Sequence, residues 1–512
     1  MCTHYEILKN KNRLRKINLI ELDLGQWCQI DEAIHVAATD EEYKKYAGIN
    51  NNEKLIERLA ELKLYNSEIF MNTFSNPRTL VLGSIEDIAY SKTKKLELEL
   101  HNTRNTKIIS SIHKFNDSYV NWSTWRQFNS LEKNHLDRKE VFDEFITKTK
   151  FISSIVEARF SLIKQVYQEY QSIKSHINGN NISPLSGYLE NEGISNNQLI
   201  EFIKSMGNTA KKPFRDELSY ISKKILGREP EYYDDFYFFR NRVFSDMETN
   251  FLVVNPLLEV KRILEFMEFD INKIHFDTDD RKNKYPSPIC FFVRIPDDIR
   301  ILYKKESPYF DLQGCFHETG HAIHANSIGK NNEYWDKYRI PMGIEEIFSI
   351  FLERVTKNSY YIRSLFSSSN MDINRIVNEL ESRNKFMELF FVTFYTANSL
   401  MKLEYWNKNL TVDEASDVYS RLIKEYMGFE ISGEYWLLHH ILPESIMYVP
   451  SYLLAAVRAA ELDHHMQNTF GDKWWTESGA GRVLRAIMES GAKVDLSEFS
   501  KLDSNIFLKD II

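Results

Sequence analysis

One motif restricts how the surrounding chain can fold, the run His317-Glu318-Thr319-Gly320-His321. Residues i and i+4 of a helix lie on one face, one turn apart. If this run is helical, His317 and His321 can point at a single metal ion with Glu318 beside it. Hydrolytic zinc sites are built in this way, and the glutamate takes a proton from water. The alternative is a surface helix that carries two histidines by chance.

The residues on either side of the motif favour a buried helix over an exposed one. Residues 313–316 read Gln-Gly-Cys-Phe and residues 322–325 read Ala-Ile-His-Ala. Small and apolar side chains of this kind suit a helix inside a protein. We therefore predict a buried helix over 311–326 that carries a metal site. His324 lies on the same helix, and we expect it to pack or to support a ligand.

The composition predicts a mainly α fold. The chain has 512 residues but only 18 glycines and 12 prolines, which favours long helices over turn-rich β structure. A small sheet is predicted at about 271–304, where three short β-branched and aromatic runs are separated by turns. The three runs are 274–277, 288–295 and 299–303. The metal helices follow this sheet, at about 311–357.

Apolar residues at helical spacing predict many further helices. Their ranges are 53–74, 82–115, 137–176, 197–206, 213–226, 234–251, from 256 onwards, 343–357, 372–402, 411–427, 434–440, 448–470 and 479–489. The clearest loop composition lies at 178–187, which is rich in Asn, Gly, Ser and Pro. We therefore predict an N-terminal helical region over 1–180 and a catalytic region over 181–512.

Charge and cysteine content exclude several classes of protein. The net charge is −8, which gives no basic surface for nucleic acid. The four cysteines show no C-x-x-C spacing, which is typical of a reducing compartment. The first residues contain no apolar segment of a signal peptide, and no apolar run reaches 18 residues. We expect a cytoplasmic protein without nucleic-acid or membrane partners, and its oligomeric state is open.

A catalytic zinc ion usually has three protein ligands, so a third ligand is needed. The apolar run 341–353 contains Glu345, Glu346 and Glu353. Glutamates on an apolar helix are costly to bury unless they are paired or bound to metal. Glu346 and Glu353 are seven residues apart and share a face, so one can bind the ion while the other supports a ligand histidine. Glu345 points about 100° away from Glu346 and is expected to be solvated.

The run Phe316–Ala325 resembles the active-site helix of the thimet oligopeptidase and oligoendopeptidase family of zinc peptidases. In that family the third ligand follows the second histidine by 25 residues, which is Glu346 here (346 − 321 = 25). The family pattern there is Glu-Ala-Pro-Ser-Gln-x-x-Glu. The run Glu346–Glu353 keeps both glutamates and Ser349, but has Ile-Phe for Ala-Pro and Ile for Gln.

The resemblance implies a role for each of these residues. One zinc ion is expected to be held by His317, His321 and Glu346. Glu318 is expected to act as the general base, and Glu353 to support a ligand histidine. The implied fold is a large helical peptidase of two lobes with a deep groove and a small β-sheet next to the metal helix.

A second resemblance lies near the C-terminus. The family has a histidine followed by a tyrosine-rich helix, and here His440 and Tyr452 have the matching spacing of 12 (452 − 440). The resemblance implies that Tyr452 and His440 donate to the substrate oxyanion, as phenol and imidazole groups can. A further tyrosine of the family aligns with Ser445 here, and Tyr448, one turn before Tyr452, is the candidate to replace it. Core packing is the alternative for both tyrosines. His439 and His440 cannot both face the substrate, and we favour His440.

The implied activity is hydrolysis of peptide bonds in short or unfolded peptides. The strand at 288–295 is the candidate for pairing with an extended peptide substrate. Two alternatives stay open. One is a carboxypeptidase or dipeptidyl carboxypeptidase on the same scaffold, as in the related helical zinc carboxypeptidases. The other is a catalytically silent zinc protein that binds peptides, against which the intact Glu318 argues.

Overall fold

The computed structural model describes most of the chain. The described residues are 24–45, 53–68, 71, 77–177, 181–279, 281, 284, 288–305, 307–367, 371–439 and 441–512. The structure is 72% helical and contains only small sheets, so the predicted mainly α fold is confirmed. Among the described helices, none is long and apolar enough to span a membrane.

The α-helices and β-strands are numbered in chain order. They are α1 (Leu24–Lys45), α2 (Glu53–Tyr65), α3 (Pro77–Lys107), β1 (Ile109–Phe115), β2 (Ser118–Asn121), α4 (Trp125–Leu131), α5 (His135–Lys148), α6 (Lys150–Glu169), α7 (Pro184–Glu192), α8 (Asn196–Leu226), α9 (Glu248–Phe251), α10 (Pro256–Phe266), β3 (Ile274–Asp277), β4 (Ile289–Arg294), β5 (Asp298–Leu302), α11 (Pro308–Ser327), α12 (Tyr334–Tyr338), α13 (Met342–Val355), α14 (Ser359–Leu365), α15 (Ile373–Lys408), α16 (Val412–Met427), α17 (Pro450–Phe470), α18 (Ser478–Met488) and α19 (Ser504–Ile511). Short 3-10 segments cover Tyr170–Ile177, Tyr232–Asp234, Gly433–Leu438, Trp474–Thr476, Gly491–Lys493 and Leu496–Glu498, and Phe236–Arg242 is a π-helix.

The chain divides into two compact units, each assembled from several stretches. Unit 1 contains residues 1–65, 247–381 and 454–507. Unit 2 contains residues 66–246, 382–453 and 508–512. The division into functional regions 1–180 and 181–512 stays a prediction.

Helix α11 is the central element of unit 1. It packs against α13, against α9, α10 and α18, and against strands β4 and β5. Its side chains Leu312, Phe316, Ala322 and Ile323 are buried in this contact. The predicted metal helices at 311–326 and 343–357 correspond to α11 and α13 within a few residues at each end.

The small sheet of unit 1 lies where the short apolar runs predicted it. Strand β5 is central, β3 pairs with it in parallel, and β4 pairs with it antiparallel. Strand β4 is therefore at one edge of this sheet, and it also packs against α11. The sheet thus brings an edge strand next to the helix that carries the histidines.

Unit 2 contains a β-hairpin that the sequence analysis missed. We predicted a helix over 82–115, but α3 ends at Lys107, and β1 and β2 pair antiparallel after it. The turn between the strands is Asn116-Asp117, and both residues have positive φ values of 51° and 60°. Asn and Asp tolerate this conformation better than most residues, and the turn matches the twist of a hairpin.

Other helices also differ from the prediction. The helix expected over 234–251 is the π-helix Phe236–Arg242 followed by the short α9, and the helix expected over 434–440 is the 3-10 segment Gly433–Leu438. The single helix expected over 137–176 is two helices, α5 and α6, because the Thr149 hydroxyl and N–H both bond to the Ile146 carbonyl and close α5. The two helices expected at 197–206 and 213–226 are one, α8, with Pro213 inside it. Local propensity therefore missed the break between α5 and α6 and predicted a break in α8 that the structure does not have.

Candidate metal centre

A close contact between α11 and α13 creates the centre. Gly320, inside the histidine motif, lies directly against the backbone of α13. A Cβ atom at position 320 would be 2.2 Å from the Phe348 carbonyl oxygen and 2.5 Å from the Ser349 Cα. No side chain fits there, so the two helices approach more closely than any other residue would allow. This contact brings the two histidines of α11 to the glutamates of α13.

The three predicted ligands, His317, His321 and Glu346, converge on one point. His317 and His321 lie one turn apart, and both direct Nε2 towards the Glu346 carboxylate. Oε2 of Glu346 is 3.5 Å from His317 Nε2 and 3.7 Å from His321 Nε2. One ligand atom from each residue lies within 4.8 Å of the other two. Ligand atoms on a tetrahedral zinc ion are roughly 3.4 Å apart, so these residues fit one such ion.

His317 is oriented by a chain of charged groups on its other side. Its Nδ1 lies 3.0 Å from Glu353 Oε2, and Glu353 Oε1 accepts from Lys357 Nζ at 2.8 Å. Burial opposes ionisation of Glu353, but Lys357 and His317 outweigh it and hold its pKa at about 2. Ionised Glu353 accepts the Nδ1 proton of His317, which leaves Nε2 free to bind a metal. Lys357 was missed, although its position four residues after Glu353 was a usable signal.

Glu346 is buried and held in place by its own helix. Glu346 is only 5% exposed, and the Ser349 hydroxyl lies 3.1 Å from Oε2 and 2.9 Å from the Glu346 carbonyl.

The carboxylates of Glu346 and Glu353 also change the pKa of His317. Burial lowers the pKa of His317, but the hydrogen bonds with Glu346 and Glu353 raise it well above its usual value. The electrostatic potential between His317 and Glu346 therefore favours a positive charge.

Glu318 lies between the metal ligands and strand β4. Burial raises the pKa of its carboxyl to about 7. The charge of His317 opposes this rise, the charge of Glu346 adds to it, and a hydrogen bond from the Cys290 N–H opposes it. A carboxyl with a pKa near neutral is suited to general base catalysis. The Cys290 contact also fixes Glu318 to the edge strand of the sheet.

Glu345 is not the solvated residue that we predicted. Its side chain is 31% exposed, and Oε1 lies 4.0 Å from His321 Nδ1. Burial, followed by the charges of Glu346 and Glu318, raises its pKa to about 8. The prediction was wrong because the helices touch at Gly320, so that two adjacent positions of α13 both face α11.

His324 and strand β4 add to the surroundings of the centre. His324 is fully buried, and its ring lies 4.4 Å from that of Phe348. Burial and the charge of His321 lower its pKa to about 3.

The backbone of β4 and of the residue after it is partly bound already. The Phe292 carbonyl in β4 lies 3.1 Å from His35 Nε2, and the Ile295 N–H donates to the Tyr338 hydroxyl at 3.0 Å. Side chains of α1 and α12 therefore already bind part of this strand. Peptide pairing along 288–295 stays a prediction.

The predicted oxyanion donors belong to unit 2, whereas the predicted metal ligands belong to unit 1. The rings of Tyr448 and Tyr452 are 5.1 Å apart, and Tyr452 also packs 4.8 Å from Tyr395. His440 lies outside the described residues. Its neighbour His439 lies 3.1 Å from the Tyr419 hydroxyl through Nε2. The donor roles of Tyr448, Tyr452 and His440 stay predictions.

Within unit 2, four cationic side chains bind the segment that leads to these tyrosines, and three of them, Arg104, Arg159 and Lys402, are buried. They donate to its backbone carbonyls at 2.8–3.2 Å: Arg104 to Leu437 and His439, Arg126 to Leu438, Arg159 to Pro443, and Lys402 to Leu442 and Ser445. Lys402 is fully buried, and burial lowers its pKa well below the usual value. These donors hold the backbone of residues 437–439 and 442–445 in place. These donors were not predicted, because they lie on helices that are distant in sequence from the segment they bind.

Comparison with solved structures places the fold among peptidases. The chain is similar to PZ peptidase A solved with an inhibitor, with a TM-score of 0.65, 13% identity and coverage of 99% of this chain and 94% of that one. It is also similar to a candidate oligoendopeptidase F, with a TM-score of 0.63, 13% identity and coverage of 99% and 94%. Trypanosoma cruzi metallocarboxypeptidase 1 has a TM-score of 0.54, 15% identity and coverage of 99% and 98%.

These similarities define the class of fold. The chain has a large, mainly α fold that matches the fold of these three peptidases. No protein-family profile matches the sequence. No curated protein matches it either.

The contact at Gly320 predicts a specific effect of substitution. Gly320→Ala forces α11 and α13 apart, so we expect a loss of about 1–3 kcal/mol in the free energy of unfolding and weaker zinc binding. Chemical denaturation of the metal-free protein and a zinc titration measure the two effects. Gly314→Ala in the same helix is the matched control, because its Cβ would meet only Pro288 Cγ at 3.2 Å. Equal behaviour of the two variants would contradict this account.

The raised pKa of Glu318 predicts a pH-dependent stability of the metal-free protein. A folded pKa of about 7 against an unfolded value near 4.5 means that stability falls as pH rises from about 4.5 to 7. Glu318→Gln removes this penalty. We expect the variant to match the wild type at pH 4 and to exceed it by up to about 3 kcal/mol at pH 8.

Denaturation with a chelator present, at several pH values, measures this difference. Glu265→Gln on the exposed side of α10 is the control and should show no such trend. A stability difference between wild type and Glu318→Gln that stays constant from pH 4 to 8 would show that Glu318 titrates normally.

Proposed function

We propose that this protein is a zinc-dependent metallopeptidase that hydrolyses peptide bonds in short or unfolded peptides. One observation carries the proposal: His317, His321 and Glu346 present three ligand atoms to one point, with Glu318 beside them. Two imidazoles and one carboxylate are the donor set of hydrolytic zinc sites. The similarity of the fold to that of peptidases supports the same conclusion.

The residues of the centre have distinct parts in this reaction. A bound zinc ion supplies Lewis-acid polarisation of the peptide carbonyl and acidifies a water molecule. Glu318 accepts the proton of the attacking water on its carboxylate and then delivers it to the leaving amine nitrogen. Glu353 and Lys357 keep the His317 ring in the tautomer and orientation that direct Nε2 inwards. Tyr452, Tyr448 and His440 are the proposed donors to the carbonyl oxygen.

A carboxypeptidase is the second candidate. The similarity of the fold to metallocarboxypeptidase 1 favours it, because the same scaffold supports exopeptidase action in that protein. A zinc-holding protein without catalysis is less consistent with the site. Such a protein needs the three ligands, but it has no use for a carboxylate with a pKa of about 7 beside them.

The proposed base predicts a separation of catalysis from metal binding. Glu318→Gln keeps the shape of the side chain but cannot accept a proton. We expect kcat/KM on a peptide library to fall by about 10²–10⁴-fold while one zinc ion per chain is retained. Metal analysis and peptide cleavage are measured on the same preparation, with Glu265→Gln as the control. Undiminished cleavage by Glu318→Gln would rule out the mechanism.

Endopeptidase action predicts which peptides are cleaved. We expect peptides that are acetylated at the N-terminus and amidated at the C-terminus to be cut at internal bonds. Mass spectrometry of the products identifies the cleaved bonds. If cleavage requires a free C-terminal carboxylate and releases one or two residues at a time, the carboxypeptidase alternative is correct.

A further inference from the structure

The two histidines of the centre differ in what lies beyond their outer nitrogens. Nδ1 of His317 has a carboxylate partner, Glu353, at 3.0 Å. Nδ1 of His321 is buried and makes no hydrogen bond of normal length to any described residue. This nitrogen points towards the backbone carbonyl of Glu345. It also lies 4.0 Å from Oε1 of the Glu345 carboxylate.

We propose that Glu345 is a second positioning carboxylate, which accepts the Nδ1 proton of His321 when a metal ion binds at Nε2. The inference rests on the metal centre of the proposed function. Metal-bound histidines usually donate their other ring proton to a carboxylate, a backbone carbonyl or water, and this partner fixes the ring and strengthens the ligand. Coordination at Nε2 draws electron density from the ring and makes Nδ1–H a stronger donor, so the hydrogen bond to a nearby carboxyl oxygen becomes stronger.

The movement that this pairing needs is small. A normal charge-assisted hydrogen bond is about 2.8 Å long, so Oε1 must approach Nδ1 by roughly 1.2 Å, which one side-chain rotation supplies. The backbone can stay in place. The Gly343 carbonyl accepts a hydrogen bond from Arg458 at 2.9 Å, and Ile344 and Glu345 both donate their N–H groups to the Pro341 carbonyl. The start of α13 is therefore anchored up to the residue whose side chain moves.

Glu345 also lies close enough to Cys290 and Glu318 to influence them electrostatically. It could therefore face a cationic group of a substrate instead. The distance to His321 favours the positioning role, because Nδ1 is a buried ring nitrogen without a hydrogen bond of normal length and Oε1 is the carboxylate oxygen that faces it. The substrate role is an outcome that the experiment distinguishes.

Zinc affinity without any substrate is the measurement that tests this inference. The metal-free wild type and the variants Glu345→Gln, Glu345→Met and Glu353→Gln are titrated with Zn²⁺ against a chromophoric chelator. We expect each substitution at 345 to weaken zinc binding by about 10–100-fold, in the range of Glu353→Gln. Glu265→Gln should match the wild type.

Two further readouts separate positioning from folding and from substrate binding. Thermal unfolding of the metal-free variants at position 345 is measured at pH 4, where the Glu345 carboxyl is protonated in the folded and the unfolded protein, and should match the wild type, which shows that the fold is intact. The d–d spectrum of the Co²⁺-loaded protein should shift in Glu345→Gln, because the field of the His321 ligand changes. If one 345 variant folds poorly, the other supplies the comparison.

Two results would overturn the inference. One is zinc affinity within twofold of the wild type in both variants at position 345. The other is unchanged affinity together with a KM that rises only for peptides with a cationic group, which would make Glu345 a substrate contact. The first result does not depend on peptidase action, and a protein that cleaves no peptide but loses zinc affinity at 345 would contradict the proposed function alone.

Discussion

The contact between α11 and α13 at Gly320 is the constraint on which the centre depends. Two helices that cross with ordinary side chains between them lie 8–10 Å apart. Here the missing side chain lets the backbone of α13 lie against Gly320 itself. The carboxylate of Glu346, one turn before this contact, then reaches between two imidazoles that are also one turn apart. The glycine of the motif therefore contributes as much to the geometry as the ligands do.

The charges around this contact favour a bound cation. They also give the carboxyl groups of Glu353 and Glu318 different pKa values. Glu353 is held ionised by Lys357 and His317, whereas the pKa of Glu318 is raised to about 7 by burial and by neighbouring acids. One carboxylate is thus a permanent acceptor, and the other can gain and lose a proton near neutral pH. Environments that push the pKa values of like residues apart are typical of sites that carry out acid–base chemistry.

The sequence predicted the features that depend on local pattern. His317 and His321 follow from i, i+4 spacing, the strands of the sheet follow from short β-branched runs, and the mainly α class follows from the low content of Gly and Pro. The prediction failed where distant parts of the chain decide the outcome. The exposure of Glu345 depends on how closely α13 approaches α11, and the carbonyl donors Arg104 and Lys402 come from helices more than 30 residues away from the segment they hold. Neither relation leaves a periodic signal in the sequence.

The central claim is that one metal ion binds to His317, His321 and Glu346. A crystal structure of the zinc-loaded protein, with diffraction data collected on both sides of the zinc absorption edge, tests it most directly. The account predicts one strong anomalous peak within about 2.0–2.2 Å of Nε2 of both histidines and of a Glu346 carboxylate oxygen. No peak at this position in a zinc-loaded crystal, or a peak with other ligands, would contradict it.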